Sequence, residues 1–435
     1  MSFDGLVTAM TGWDEPTRRR LLKSAVATGG STALSACLDL GGDERVPTGV
    51  ADPSRLDRRQ HAWNERLETD EHGNHALPRH QTFLYVNLEA NGEPSAGDRK
   101  AVETALSTLD RAYERSPEGL IYSIGYSRSY FGRYGRGPDG VDLPAPRALS
   151  NFEDPTLDTQ DALVHLASDR AHVVLEAEEA LFGDRETANG VEAAEFPGRI
   201  DHRRTGFIGR GMPAERTDDV EGIPDDAEVP DGAKLFMGFN AGFAGNQASE
   251  SFVTLDSGPF AGGTTKHVST LQQRLDRWYA DNDHEEMVTK LFSTDLADDI
   301  EGVADNVGAT SGVTPDDLEG LVEAAREHGA VGHAQKMARA NRDEEGNVLT
   351  LRRHVESTDQ GIASLHFPSL QKEISTFEEI RKAMNAPDVV EETPAVRQRV
   401  NNGILRYIFV KNRGNFLVPP RELRALPTPD GEAPQ

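Results

Sequence analysis

Short apolar runs alternate with longer stretches of helical period along most of the chain. Thr82–Leu88 and Leu120–Tyr126 read as strands, with an amphipathic helix over Asp98–Glu114 between them. The alternation returns in a strand at Asp161–Ala167 and a helix over Ser168–Phe182, with Asp169 near the helix start. Further on, the pattern predicts a strand at Thr264–Val268 and helices at Leu271–Tyr279 and Pro315–His328. It then predicts strands at Val348–Val355 and Gly361–Phe367, a helix at Gln371–Met384 and a last strand at Ile404–Val410.

Strand–helix rounds of this kind predict an α+β fold of two ferredoxin-like domains with antiparallel sheets. Their expected limits are 79–205 and 206–427, followed by a tail over 428–435. The acidic, Pro- and Gly-containing stretch Asp218–Gly232 reads as a surface loop near the boundary. Residues 38–78 carry few periodic apolar positions and are expected to form a flexible acidic tether.

The N-terminus changes the picture. Arg18 and Arg19 stand just before a weakly apolar stretch, Ser24–Ala36, which is the form of a twin-arginine export signal. Leu34, Ser35 and Ala36 then lead into Cys37 as a lipobox does, so 1–37 is expected to be a signal peptide with Cys37 as the lipidation site. The expected location is the outer face of the cytoplasmic membrane, lipid-anchored, or the extracellular space. Cys37 is the single cysteine, which excludes an internal disulfide and any cysteine-based metal site.

Against 46 basic residues stand 73 acidic ones, for a net charge of −27. Such a surface suits high salt, where screening lengths fall to about 3 Å at molar ionic strength. It also makes nucleic acid an improbable partner, because a phosphate backbone would be repelled. The chain has no Walker-type loop, no His-Glu-x-x-His and no Gly-x-Ser-x-Gly elbow. Asp225 with Asp226, and Asp298 with Asp299, read as solvated surface rather than calcium loops.

Several blocks carry a family resemblance. The stretch Gly119–Tyr134 and the Asp161 strand resemble the N-terminal domain of dye-decolourising peroxidases and the related deferrochelatases. Gly238, Phe239, Asn240, Ala241 and Gly242 stand where that family has its Gly-Phe-x-Asp-Gly loop. Gly332 and His333 occupy its proximal histidine position, Arg352 and Arg353 match its Arg-Arg strand nineteen residues on, and Gly414–Pro420 is similar to its closing motif. The blocks keep the family's order over about Arg79–Pro427.

The resemblance implies haem b held by His333, with His328 as a nearby rival, and a catalytic Arg352 whose guanidinium stabilises charge on the departing peroxide oxygen. It implies hydrogen peroxide and a reductant as substrates, and admits a homo-oligomer. Gly238 and Gly242, with Gly245, would let backbone approach the haem face, and Arg353 should turn to the opposite, surface side of its strand. The departure is Ala241, where the family has a proton-carrying aspartate. Loss of a general acid or base costs about 10²- to 10⁴-fold in rate. Asn240 is the expected substitute, with Asn246 and Glu250 as alternatives. Two further readings stay open: a haem- or iron-handling protein without turnover, and a scaffold that has lost haem.

Overall fold

The computed structural model describes residues 45–224, 227–296 and 307–432. The chain divides into a unit ending at Val46 and a second unit running from Pro47 to Gln435. Arg18, Arg19 and Cys37 lie outside the described residues, as do Asp225, Asp226, Asp298 and Asp299. No helix among the described residues is long and apolar enough to cross a membrane.

Twelve strands are described: β1 (His80–Leu88), β2 (Ile121–Ser127), β3 (Thr156–Asp158), β4 (Ala162–Ser168), β5 (Thr187–Ala188), β6 (Val191–Glu192), β7 (Gly198–Phe207), β8 (Thr264–Gln273), β9 (Leu351–Arg352), β10 (Val355–Ser357), β11 (Ser364–Gln371) and β12 (Ile408–Val418). In the first half the spatial order is β7-β1-β4-β2, with helices Ala96–Ala112 and Ala171–Leu181 as the two crossovers. That is the ferredoxin-like arrangement of a βαββαβ unit. The second half repeats it as β12-β8-β11-β10.

The halves meet at both edges. Leu417 pairs with Tyr126 between β12 and β2, and Glu356 pairs with Phe207 between β10 and β7. Every pairing around this ring is antiparallel, so the α+β fold closes into an eight-stranded barrel that leaves no free edge. β9 continues the line of β10 along β11, and β3 adds in parallel to β12.

Side chains fill the barrel. Phe83, Tyr85, Leu163, Val268, Val355 and Phe416 form its apolar cluster. Beside them the Lys266 ammonium lies 2.8 Å from His165 Nδ1, and the His165 ring stacks on Phe83 at 4.2 Å. Burial pulls Lys266 down to about 7 and holds His165 neutral.

The expected tether is corrected from Pro47 onward. Trp63 is 1% exposed and packs with Leu67, Ile121 and Ala167. Gln60 accepts from the Ile124 amide at 3.0 Å and donates to the Pro419 carbonyl at 2.8 Å. Gln60 thus satisfies buried backbone rather than water, and with Trp63 it anchors a segment whose overall composition reads as solvated. Two helix expectations change as well. Leu271–Gln273 belongs to β8, because ladders from β11 and β12 on either side outweigh its helical propensity. The Pro315–His328 stretch breaks at Gly320 into Pro315–Glu319 and Leu321–His328.

Candidate functional site

The strand line β9–β10 turns alternate residues to opposite sides. Arg353 and Val355 face the barrel interior, where Val355 joins the apolar cluster. Arg352, His354 and Glu356 face outward, beneath a loop spanning 232–247. Arg352 Nη2 donates to the Asn246 carbonyl at 2.6 Å, the His354 ring meets Phe243 edge-on at 4.9 Å, and Glu356 Oε1 accepts from the Phe236 amide at 3.3 Å. Gln247 reads the Arg352 backbone in both directions, accepting its N–H and donating to its carbonyl, each at 2.8 Å.

The covering loop is held by its own side chains. Asn240 accepts from the Lys234 amide at 2.7 Å and donates to the Gly232 carbonyl at 3.0 Å, so its amide closes the turn. Gly238 takes φ +92°, which a left-handed turn requires. A Cβ on Gly242 would lie 1.7 Å from the Gly308 carbonyl oxygen: this glycine admits the chain's own backbone, and Ser311 Oγ donates to its carbonyl at 2.7 Å. Asn74 accepts from the Phe243 and Ala244 amides at 2.7 and 2.8 Å, tying the N-terminal segment to the same loop. Ala241 is half-buried and packs against the cluster containing Phe239, Trp278 and Phe292.

Arg353 is corrected from a surface role. It is 3% exposed, ion-paired to Glu250, and donates to the His61 carbonyl at 2.9 Å with its guanidinium 4.3 Å over the Trp63 ring. Its His61, Asn64 and Trp63 partners come from the N-terminal segment, far away in sequence. Glu250, an alternative proton carrier in the sequence, is committed to that pair and to the Trp63 and Asn64 amides. Asn246 is committed too, its Oδ1 accepting from Arg342 at 3.1 Å.

His333 opens the helix His333–Ala340, after Gly332, whose missing side chain lets the Phe292 carbonyl approach. Its Nδ1 is buried without a partner, and its ring makes no hydrogen bond among the described residues. Burial, then the charges of Lys336, Arg352, Arg381 and His354, pull His333 down to about 3, so the imidazole is neutral. The rival His328 ends its helix exposed. Burial and Arg342 lower Arg352 to about 10, and burial with Arg352 and Lys234 lowers His354 to about 4. Arg342 and Arg352 bond only to carbonyl and amide oxygens, and neither makes an ion pair among the described residues. The site therefore joins a neutral, unbonded imidazole to two uncompensated guanidiniums. His354, Arg342 and Glu356 were missed in the sequence, although the two-residue period from Arg352 pointed to His354 and Glu356.

A model described as a family of unknown function, DUF7405, matches residues 78–420. The chain belongs to that family. No curated protein matches it. Among solved structures, DtpA from Streptomyces lividans is 16% identical with a TM-score of 0.52, covering 89% of this chain and 96% of its own. A dye-decolorizing protein from V. cholerae is 15% identical with a TM-score of 0.48, covering 82% and 97%. The encapsulated DyP-type peroxidase from Mycobacterium smegmatis is 17% identical, also with a TM-score of 0.48, covering 82% and 97%. At such identities the likeness is one of fold, and the fold of this DUF7405 chain is DyP-like.

Proposed function

We propose that this protein binds haem b through His333 and acts as an exported, peroxidase-like oxidoreductase of altered peroxide chemistry. The observation that carries the reading is the buried, unbonded Nδ1 of a neutral His333 set among cations. A neutral imidazole is the form that ligates iron, and its orphaned nitrogen lacks any competing protein partner. Bound haem would supply the redox iron. Arg352 and Arg342, without carboxylate partners, fit anionic propionate or peroxide oxygens by charge and by their planar donor sets. Gly238, Gly242 and Asn240 fit less well as cofactor contacts, being engaged in building the loop. In place of the aspartate absent at Ala241, neutral His354 on the Arg352 face is the group able to hold a proton.

Protein purified from its own host, or titrated with hemin, should show a Soret band that is lost in His333→Ala. Peroxide-dependent dye oxidation should fall in Arg352→Ala while the band persists. Protein that stays colourless when offered hemin would sink the reading. The tie of Asn240, Asn246 and Glu250 to other partners favours one second reading, a haem-handling protein. Its signature is the same band without peroxide turnover.

The export part of the proposal rests on Arg18, Arg19 and Cys37, with the acidic balance as the mark of a halophilic setting. Detergent-phase partitioning and intact mass of the mature chain test it: lipid should be present in the native protein and absent in Cys37→Ser.

A further inference from the structure

A cleft of about 370 Å³ opens between the start of β12, the end of β8 and the turn at Phe152. That volume lies in the range of small-molecule sites. In a chain of net charge −27, its lining holds Arg274, Arg381, Arg399 and Lys411. Two of these cations are neutralised: Arg274 by Asp276 through two contacts of 2.9 Å, and Arg381 by Glu153 at 2.5 Å. Arg399 is not. Its Nη2 donates to the Leu405 carbonyl at 2.7 Å, its Nε is buried without a partner, and no carboxylate reaches it among the described residues. Lys411, exposed on the same wall, likewise makes no ion pair among the described residues.

Two aromatic rings, Phe152 and Phe409, join Leu405, Ile408 and Val410 in the rest of the wall, with Gln272 and the carboxylates of Glu153 and Asp154. The Arg399 guanidinium lies 4.5 Å from the centre of the Phe152 ring and 5.4 Å from that of Phe409. Phe152 is 42% exposed, a large apolar face left in water beside unpaired positive charge. A ligand with a planar apolar body and one negative group meets both demands at once. A carboxylate supplies the oxygens that Arg399 lacks, and a ring covers Phe152 in offset or edge-on contact. An aliphatic acid leaves Phe152 wet, and a neutral arene leaves Arg399 unpaired.

We infer that this cleft binds a small aromatic carboxylate, with the charged end on Arg399 and Lys411 and the ring against Phe152. Isothermal titration of the full chain at one fixed chloride concentration, with benzoate, acetate and benzyl alcohol as probes, tests it. Benzoate should bind saturably and at least about tenfold more tightly than either of the others. Arg399→Gln and Phe152→Ala should each weaken benzoate about tenfold or more. Phe152 is exposed, so its variant should keep the parent's unfolding midpoint and separate lost binding from lost folding. Absence of saturable benzoate binding, equal affinity in Arg399→Gln, or acetate binding as tightly as benzoate would each overturn the inference.

Discussion

Arg353 and Glu250 form an ion pair inside the barrel's mouth, 3% and 8% exposed, and both hold the backbone around Trp63. Removing Glu250 leaves a buried guanidinium without its counter-charge, a change that costs about 3–5 kcal/mol. Glu250→Ala should therefore unfold at markedly lower denaturant concentration. It should also free the 47–78 segment, so limited trypsin digestion should cut at Arg55, Arg58 or Arg59 before the rest of the chain. Equal protease resistance in the variant would show that the segment is held by other contacts.

This pair also shows what the sequence could and could not reveal. The β1, β2 and β4 strands carry dense apolar runs and were legible; β11 was expected at Gly361–Phe367 and lies at Ser364–Gln371. β7 was not, because Gly198–Phe207 carries Arg199, Asp201, His202, Arg203 and Arg204 on both faces, and their partners, such as Asp158 for Arg204, come from elsewhere. His333 and Arg352 were legible through their spacing and family resemblance. The burial of Arg353 was not, since the aromatic ring and carboxylate that accept it are brought by long-range packing. The same reason hid the loop-building role of Asn240: its partners are backbone groups at Gly232 and Lys234, which carry no sequence signature.

Glu356 is 1% exposed, and burial pushes its carboxyl up to about 8, opposed by hydrogen bonds from Gln273 and the Phe236 amide. The folded state therefore holds a proton that the unfolded chain releases near 4.5. Between those values the folded state binds more protons, so stability is highest below the lower one and declines as pH rises through about 8. Glu356→Gln should flatten this decline and exceed the parent's stability above pH 8 by on the order of a few kcal/mol. Denaturant titrations from pH 5 to 9 check it; parallel curves for parent and variant would exclude Glu356 as the source.

In haem-loaded protein, His354 is expected to carry the proton that Ala241 cannot. Burial and the charges of Arg352 and Lys234 hold it near 4, so it is a neutral base through most of the working range. His354→Ala should leave the Soret band in place and lower peroxide-dependent dye oxidation about 10²-fold. The acid limb of the parent's pH profile, near that value, should vanish in the variant. A profile unchanged in shape would assign His354 to packing against Phe243 alone.

Restoring the carboxylate gives the sharpest test of whether the Gly238–Gly242 loop faces the reacting oxygen. Ala241 is half-buried against the Phe239 and Trp278 cluster, so an aspartate there is partly desolvated. Ala241→Asp should lose roughly 1–3 kcal/mol of stability in consequence. The same desolvation raises the new carboxyl's proton affinity, which suits it to exchange a proton with peroxide. Haem-loaded Ala241→Asp should then oxidise dye at least about tenfold faster than the parent, with an unchanged Soret band. Combining it with His354→Ala should preserve most of that gain, because the aspartate would relieve the histidine of its role. A variant that keeps the band but gains no rate would place Ala241 away from the reacting oxygen, and would leave the loop's likeness to the peroxidase motif as one of backbone course alone.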